Sequence, residues 1–189
     1  MGAMGATRFA AILLAVVPSG ALADPGFWAG ADIGAASLKR SLSVTGSTQA
    51  SEFAMAFRGG YSWDPRLLLG VELGGWTLEP GNTRDPAHGE GIRTLYAIAQ
   101  FYPAAGARLF VKGGFGEVKY WNHRPGESGA SGTGGMLGAG YDFPLSGSWY
   151  VTPAIDYARG KYDGAVSPPG ITQDQSYRAV TLRIGVTYR

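Results

Sequence analysis

Alternation constrains this chain more than any other feature. From Ala179 to Arg189 it reads AVTLRIGVTYR, with Val180, Leu182, Ile184, Val186 and Tyr188 on one side and Ala179, Thr181, Arg183, Gly185 and Thr187 on the other. A period of two defines a β-strand with one apolar and one polar face. Seven earlier segments follow the same rule: Phe27–Ser37, Glu52–Trp63, Arg66–Leu78, Ile92–Tyr102, Arg108–Trp121, Gly132–Phe143 and Trp149–Lys161, the eighth being Tyr177–Arg189. Each is eleven to fourteen residues long. Soluble strands average about 5–6 residues, whereas a tilted strand crossing a bilayer needs about 9–11.

The connections alternate as well. Asp64-Pro65, 103–107 (PAAGA) and 144–148 (PLSGS) are tight, while 46–51, 79–91, 122–131 and 163–176 are longer and polar. Short turns at one end and long loops at the other describe an up-and-down outer-membrane barrel. An even number of strands puts both termini on the short-turn, periplasmic side. The expected fold is therefore an all-β, eight-stranded antiparallel transmembrane β-barrel.

The greasy face distinguishes this barrel from a soluble one. Phe53, Met55, Phe57, Tyr61 and Trp63 oppose Ala54, Ala56, Arg58, Gly60 and Ser62; Leu67, Leu69, Val71 and Leu73 oppose Gly70, Glu72, Gly74 and Trp76. Glycines and single charges neither coat a surface in water nor build an apolar core, so the polar face belongs inside and the apolar face against lipid. A soluble ligand-binding barrel would have the reverse arrangement. Aromatics gather at the segment ends. Phe27, Trp28, Tyr61, Trp63, Phe101, Tyr102, Tyr141, Phe143, Trp149, Tyr150 and Tyr188 fall on the periplasmic side, and Phe53, Trp76, Tyr120, Trp121, Tyr162 and Tyr177 on the other. They are expected to form two interfacial girdles.

Composition agrees: 31 glycines and 12% aromatics suit strands and turns, a net charge of +2 gives no case for nucleic acid, and the absence of cysteine excludes disulfides. Residues 1–23 read as a cleaved signal peptide. Arg8 precedes the apolar run Phe9–Val17, and Ala21-Leu22-Ala23 supplies the cleavage site. The run is too short for a spanning helix. The exported barrel domain is 24–189.

Five inward charges lie near mid-strand: Asp32, Arg58, Glu72, Asp156 and Arg183. Around the closed wall their signs alternate, so that Arg183 meets Asp32 and Asp156 across the seam. Lys112 and Asp142 extend the network towards the periplasmic rim. An arginine facing lipid at mid-depth costs about 2–4 kcal/mol, which places these groups in the lumen as a charged plug, with a small-solute pore as the alternative. Inward Gly138 and Gly140 make room for larger side chains. GGFGE (113–117) and GGMLGAG (134–140) lack the Lys-Ser/Thr and the helix of a phosphate-binding loop.

His88 and His123 fall in exterior loops, where His123 with Ser128 and Glu127 is a conceivable hydrolytic group; a metal site would need loop carboxylates such as Asp85 or Glu90, and no ligand spacing stands out. No catalytic, metal or cofactor site is expected; a lipid-modifying barrel enzyme is the runner-up. At the strand tips, Lys39, Arg40, Lys119, Lys161 and Arg178 are candidates to meet lipopolysaccharide phosphates.

At GFWAGADIGAAS, FVKGGFGEV, GAGYDF and AVTLRIGVTYR the chain resembles the small outer-membrane β-barrels of Gram-negative bacteria, the opacity-protein and OmpA-transmembrane-domain type of surface antigen. The resemblance implies insertion by the outer-membrane assembly machinery and exposed loops that in some relatives bind host surfaces, so that host or extracellular surface ligands are candidate partners of the long loops; it carries no catalytic site. It also implies a terminal aromatic residue; this chain instead reads Tyr188-Arg189.

Overall fold

The computed structural model describes residues 26–42, 46–64, 66–79, 90–104, 107–122, 129–166 and 171–189. The leader expected over 1–23, both histidines, Asp85, Glu127 and Ser128 lie outside them. Nine strands occur: β1 (Phe27–Leu42), β2 (Gly46–Asp64), β3 (Leu67–Glu79), β4 (Glu90–Phe101), β5 (Leu109–Asn122), β6 (Ala130–Tyr141), β7 (Phe143–Ser146), β8 (Trp149–Val166) and β9 (Ile171–Tyr188). Every neighbouring pair is antiparallel. The wall closes where β6 pairs with β8 and β1 with β9. β6 and β7 together form one wall position interrupted at Asp142, so the barrel is eight-stranded. No helix occurs among the described residues.

Differences from the expected boundaries have a common cause. β1 and β2 continue as far as Leu42 opposite Gly46, and β8 and β9 as far as Val166 opposite Ile171, so most of the expected loops 46–51 and 163–176 is strand. The added stretches carry Lys39, Arg40 and Ser41, the run GSTQAS (46–51) and TQDQS (172–176), which are mostly polar. Hydrophobic alternation therefore fades while the hydrogen-bond ladder continues. The sixth segment is broken where the Asp142 side chain turns into the lumen and its amide bonds Arg108 O at 2.9 Å. Phe143 starts β7, and the turn tightens to Gly147 (φ +55°) and Ser148.

The outward face is apolar around the wall. Ile33, Val71, Phe115, Leu137, Leu182 and Ile184 keep more than half of their surface exposed, while inward neighbours such as Ala56, Phe110 and Val118 are fully enclosed. This inverse of a soluble barrel matches a wall facing hydrocarbon. At the periplasmic end outward aromatics pair edge-on, Phe27 with Tyr61 and Trp149 with Tyr188, each at 5.1 Å between centroids.

The expected second girdle is not formed as such. Trp76, Tyr162 and Tyr177 are buried inside the lumen, as are Trp28 and Tyr102 from the periplasmic set. The reason is parity: each sits on the inward side of its strand, and nearness to a strand end does not change the face. The lumen is accordingly less polar than expected, with Leu68, Ile92, Ile98, Phe110 and Val118 also enclosed.

Candidate functional site

The lumen is built in layers. Three cations and three anions occupy its middle, Arg58, Lys112 and Arg183 against Asp32, Glu72 and Asp156, all buried. Strand pairing brings them there. Asp32 lies one step from Arg58 across β1–β2, and Arg58 sits opposite Glu72 on β3. Lys112 on β5 and Asp156 on β8 both flank β6 at Gly138.

Around this layer the ion pairs are chords as well as rungs. Arg183 Nη2 is 2.9 Å from Glu72 Oε1, on the far side of the lumen, and also contacts Asp156. Lys112 Nζ donates to Glu72 Oε2 at 2.8 Å and lies 3.3 Å from Asp156 Oδ1. Arg58 Nη1 is 3.2 Å from Asp32 Oδ2. The expected Arg183–Asp32 seam pair is replaced by Arg183–Glu72, because side chains in a barrel this narrow reach across it. Lys112 belongs to the middle layer, not to the rim.

Asp142 is the centre of a periplasmic cluster that is joined to the middle layer through Arg58. Arg58 Nη2 donates to Thr187 Oγ1 at 2.9 Å. The Thr187 and Thr152 hydroxyls are 3.0 Å apart, and Thr152 donates to Asp142 Oδ1 at 2.8 Å. Since each hydroxyl has one proton, the bonds run in one direction, from Arg58 through Thr187 and Thr152 to Asp142. Tyr102, in the turn after β4, donates to Asp142 Oδ2 at 2.7 Å. Burial and the neighbouring Asp142 carboxylate push the Tyr102 phenol well above its usual value, which keeps it a donor. Arg189 completes the cluster: Nη2 is 3.3 Å from Asp142 Oδ2, and the guanidinium stands over the rings of Tyr102 and Tyr150, 4.3 and 4.8 Å from their centroids.

Aromatics close the extracellular half. The Tyr96 and Tyr177 hydroxyls are 2.7 Å apart, Trp76 packs on Tyr177 at 5.5 Å, and Tyr162 stacks on Tyr120 at 5.7 Å. Trp76 Nε1 donates to Thr181 at 3.1 Å. Above them Arg40 and Glu90 pair at 3.1 Å, and Tyr120 donates to Glu90 at 2.8 Å. Glycines make these layers fit. A Cβ on Gly138 would collide with Asp156, on Gly140 with Phe110, and on Gly134 or Gly160 with Tyr177. Beside the charged layer is a cavity of about 20 Å³ lined by Glu72, Trp76, Tyr96, Asp156 and Arg183, room for one water molecule.

Among the expected lipopolysaccharide contacts, Lys39, Lys119, Lys161 and Arg178 face outward and Arg40 turns inward to Glu90. Glu90 itself opens β4 and is engaged there, not in a loop metal site. Lys119 is paired with Glu117 at 3.0 Å. Tyr96, Gln100, Thr152, Thr187 and Phe110 were not singled out by the sequence reading; their inward parity is the signal that finds them. No cluster of three metal-ligating side chains occurs among the described residues.

Comparisons place this architecture among known proteins. Neisserial surface protein A is similar in structure, with 19% identity over 86% of this chain and 96% of that one and a TM-score of 0.54. The outer membrane protein AlkL, solved in DMPC lipid bilayers, has 14% identity over 87% and 90% and a TM-score of 0.50. Ail, the attachment invasion locus protein of Yersinia pestis, has 15% identity over 85% and 98%, with a TM-score of 0.46. No curated protein matches the sequence. The family model described as outer membrane protein beta-barrel domain matches residues 9–189. The chain belongs to that family of outer-membrane β-barrel proteins.

Proposed function

We propose that this protein is a non-conducting, non-enzymatic barrel of the outer membrane, exported by its first 23 residues, which holds its extracellular hairpins at the cell surface for structural or adhesive contacts. One observation carries the reading: among the described residues, buried side chains occupy the periplasmic, middle and extracellular levels of the lumen, and the cavity beside the charged layer is water-sized, about 20 Å³. An eight-stranded barrel is just wide enough for side chains to fill, and here six charges, Tyr96, Tyr162, Tyr177 and Phe110 fill it. Among the described residues, the outer wall and the β1–β2 and β8–β9 hairpins are what can act on the surroundings. Lipopolysaccharide, the assembly machinery and an extracellular surface ligand are the partners this reading implies.

Planar-bilayer recording on the refolded protein tests it. The expected result is no steady single-channel current. Replacing Glu72, Lys112, Asp156 and Arg183 together by alanine should create one, and steady conductance of the unaltered protein would sink the reading. Binding to cultured cells, compared between the intact chain and one with shortened β1–β2 and β8–β9 hairpins, tests the surface role; equal binding would count against it.

A further inference from the structure

Outside the lumen, like charges stand directly across the ladder in two places: Arg93 of β4 opposite Lys119 of β5, where Lys119 is paired with Glu117, and a row of three on β1, β9 and β8. On the lipid side of the wall, Lys39 of β1 stands directly opposite Arg178 of β9, and Arg178 directly opposite Arg159 of β8. All three are exposed, and none has an acidic partner among the described residues. Lys161 follows two residues above Arg159 on the same face. Like charges directly across a ladder destabilise it, at strand spacings of about 5 Å. Three in a row are stable where an anion lies over them.

Their depth identifies the anion's surroundings. Immediately below the row the outward residues are Tyr157, Val180 and Ser37, then Ile155, Leu182 and Ala35, so the cations mark the upper border of the lipid-facing band. Beside Arg159 the row continues through Gly135 to Phe115. There the surface forms a shallow, open depression of about 490 Å³ lined by Phe115, Gly135, Leu137, Tyr157, Arg159 and Lys161. Gly135 forms its floor, since a Cβ there would approach only Gly114 O at 3.3 Å and Phe115 at 3.8 Å. A cationic row joined to an apolar depression at the membrane border fits an amphiphile with an anionic head and acyl chains.

We infer that the β6–β8–β9–β1 face binds one lipid A moiety of lipopolysaccharide, with its phosphate on Lys39, Arg178 and Arg159 and an acyl chain in the depression over Gly135. This rests on the outer-membrane placement proposed above and names the lipid held there. Guanidinium and ammonium groups suit phosphate through charge-assisted hydrogen bonds. Arg40 and Lys119 do not take part, being engaged by Glu90 and Glu117.

The test uses the full chain in detergent, titrated with bisphosphorylated lipid A, dephosphorylated lipid A and phosphatidylglycerol, with retained lipid counted by native mass spectrometry. The unaltered protein should hold one lipid A, and the K39Q/R159Q/R178Q variant should bind it roughly tenfold or more weakly. R93Q, on the opposite wall, should bind normally, and Gly135→Leu should weaken lipid A while its cations remain. Equal binding by the triple variant, or equal retention of phosphatidylglycerol or dephosphorylated lipid A, overturns the site. Should the triple variant not fold, R178Q alone removes the centre of the row and decides the same question. Heat-modified gel mobility reports barrel formation separately, so a loss of lipid A with an intact barrel is distinguishable from failure of the membrane placement itself.

Discussion

Lys112 and Glu72 meet across the lumen from strands that are not neighbours, Nζ donating to Oε2 at 2.8 Å while the other Glu72 oxygen receives Arg183 at 2.9 Å. One carboxylate thus joins β3 to β5 and to β9 through side chains alone. The backbone ladder closes the wall; this layer fixes what fills it.

Replacing Glu72 by leucine leaves two buried cations with Asp156 as their remaining close partner. Removing one member of a buried charge cluster costs about 3–5 kcal/mol, whereas removing both members of a pair costs much less. Urea unfolding in detergent should therefore show E72L strongly destabilised and E72L/K112L partly restored. Arg183→Met should behave like E72L; an unchanged midpoint for either single variant would show that the cluster does not stabilise the barrel.

Gly140 and Phe110 face each other across β5–β6. A Cβ at Gly140 would run into the Phe110 ring and come within 2.9 Å of Pro153 O. Overpacking of this kind costs about 1–3 kcal/mol. Gly140→Ala should lower stability by that amount, and F110L in the same chain should recover part of it. Strict additivity in the double-mutant cycle would refute the contact.

Arg189 presents its guanidinium to Asp142, Tyr102 and Tyr150 at the periplasmic mouth. Arg189→Ser should destabilise the folded barrel by about 1–2 kcal/mol, and Arg189→Lys by less, since a lysine keeps the charge but not the planar stack. Comparable midpoints for serine and lysine would assign the effect to something other than the cation.

Leu182 is 63% exposed on β9, in the middle of the apolar band. On a water-facing surface, Leu182→Arg would be nearly neutral. Facing lipid it should cost about 2–4 kcal/mol, read as the difference in unfolding free energy in lipid vesicles. The neighbouring T181A change, on the inward side, instead removes the acceptor of Trp76 Nε1.

Much of the fold was legible before any coordinates. Alternation, strand length and the short-turn ends determined an inverted eight-stranded barrel, because each is a property of a strand and its nearest connection. Parity determined that Asp32, Arg58, Glu72, Asp156 and Arg183 point inward. The tertiary structure decided which charge meets which: Arg183 takes Glu72, and Lys112 sits in the central layer, since pairing across a lumen depends on barrel stagger and side-chain reach. It decided also that Trp76, Tyr162 and Tyr177 fill the interior, where position along the strand had suggested an outer girdle. Strand lengths beyond the expected boundaries were hidden for a related reason: where residues turn mostly polar, as in 46–51 and 172–176, alternation of residue type fades while the backbone ladder continues.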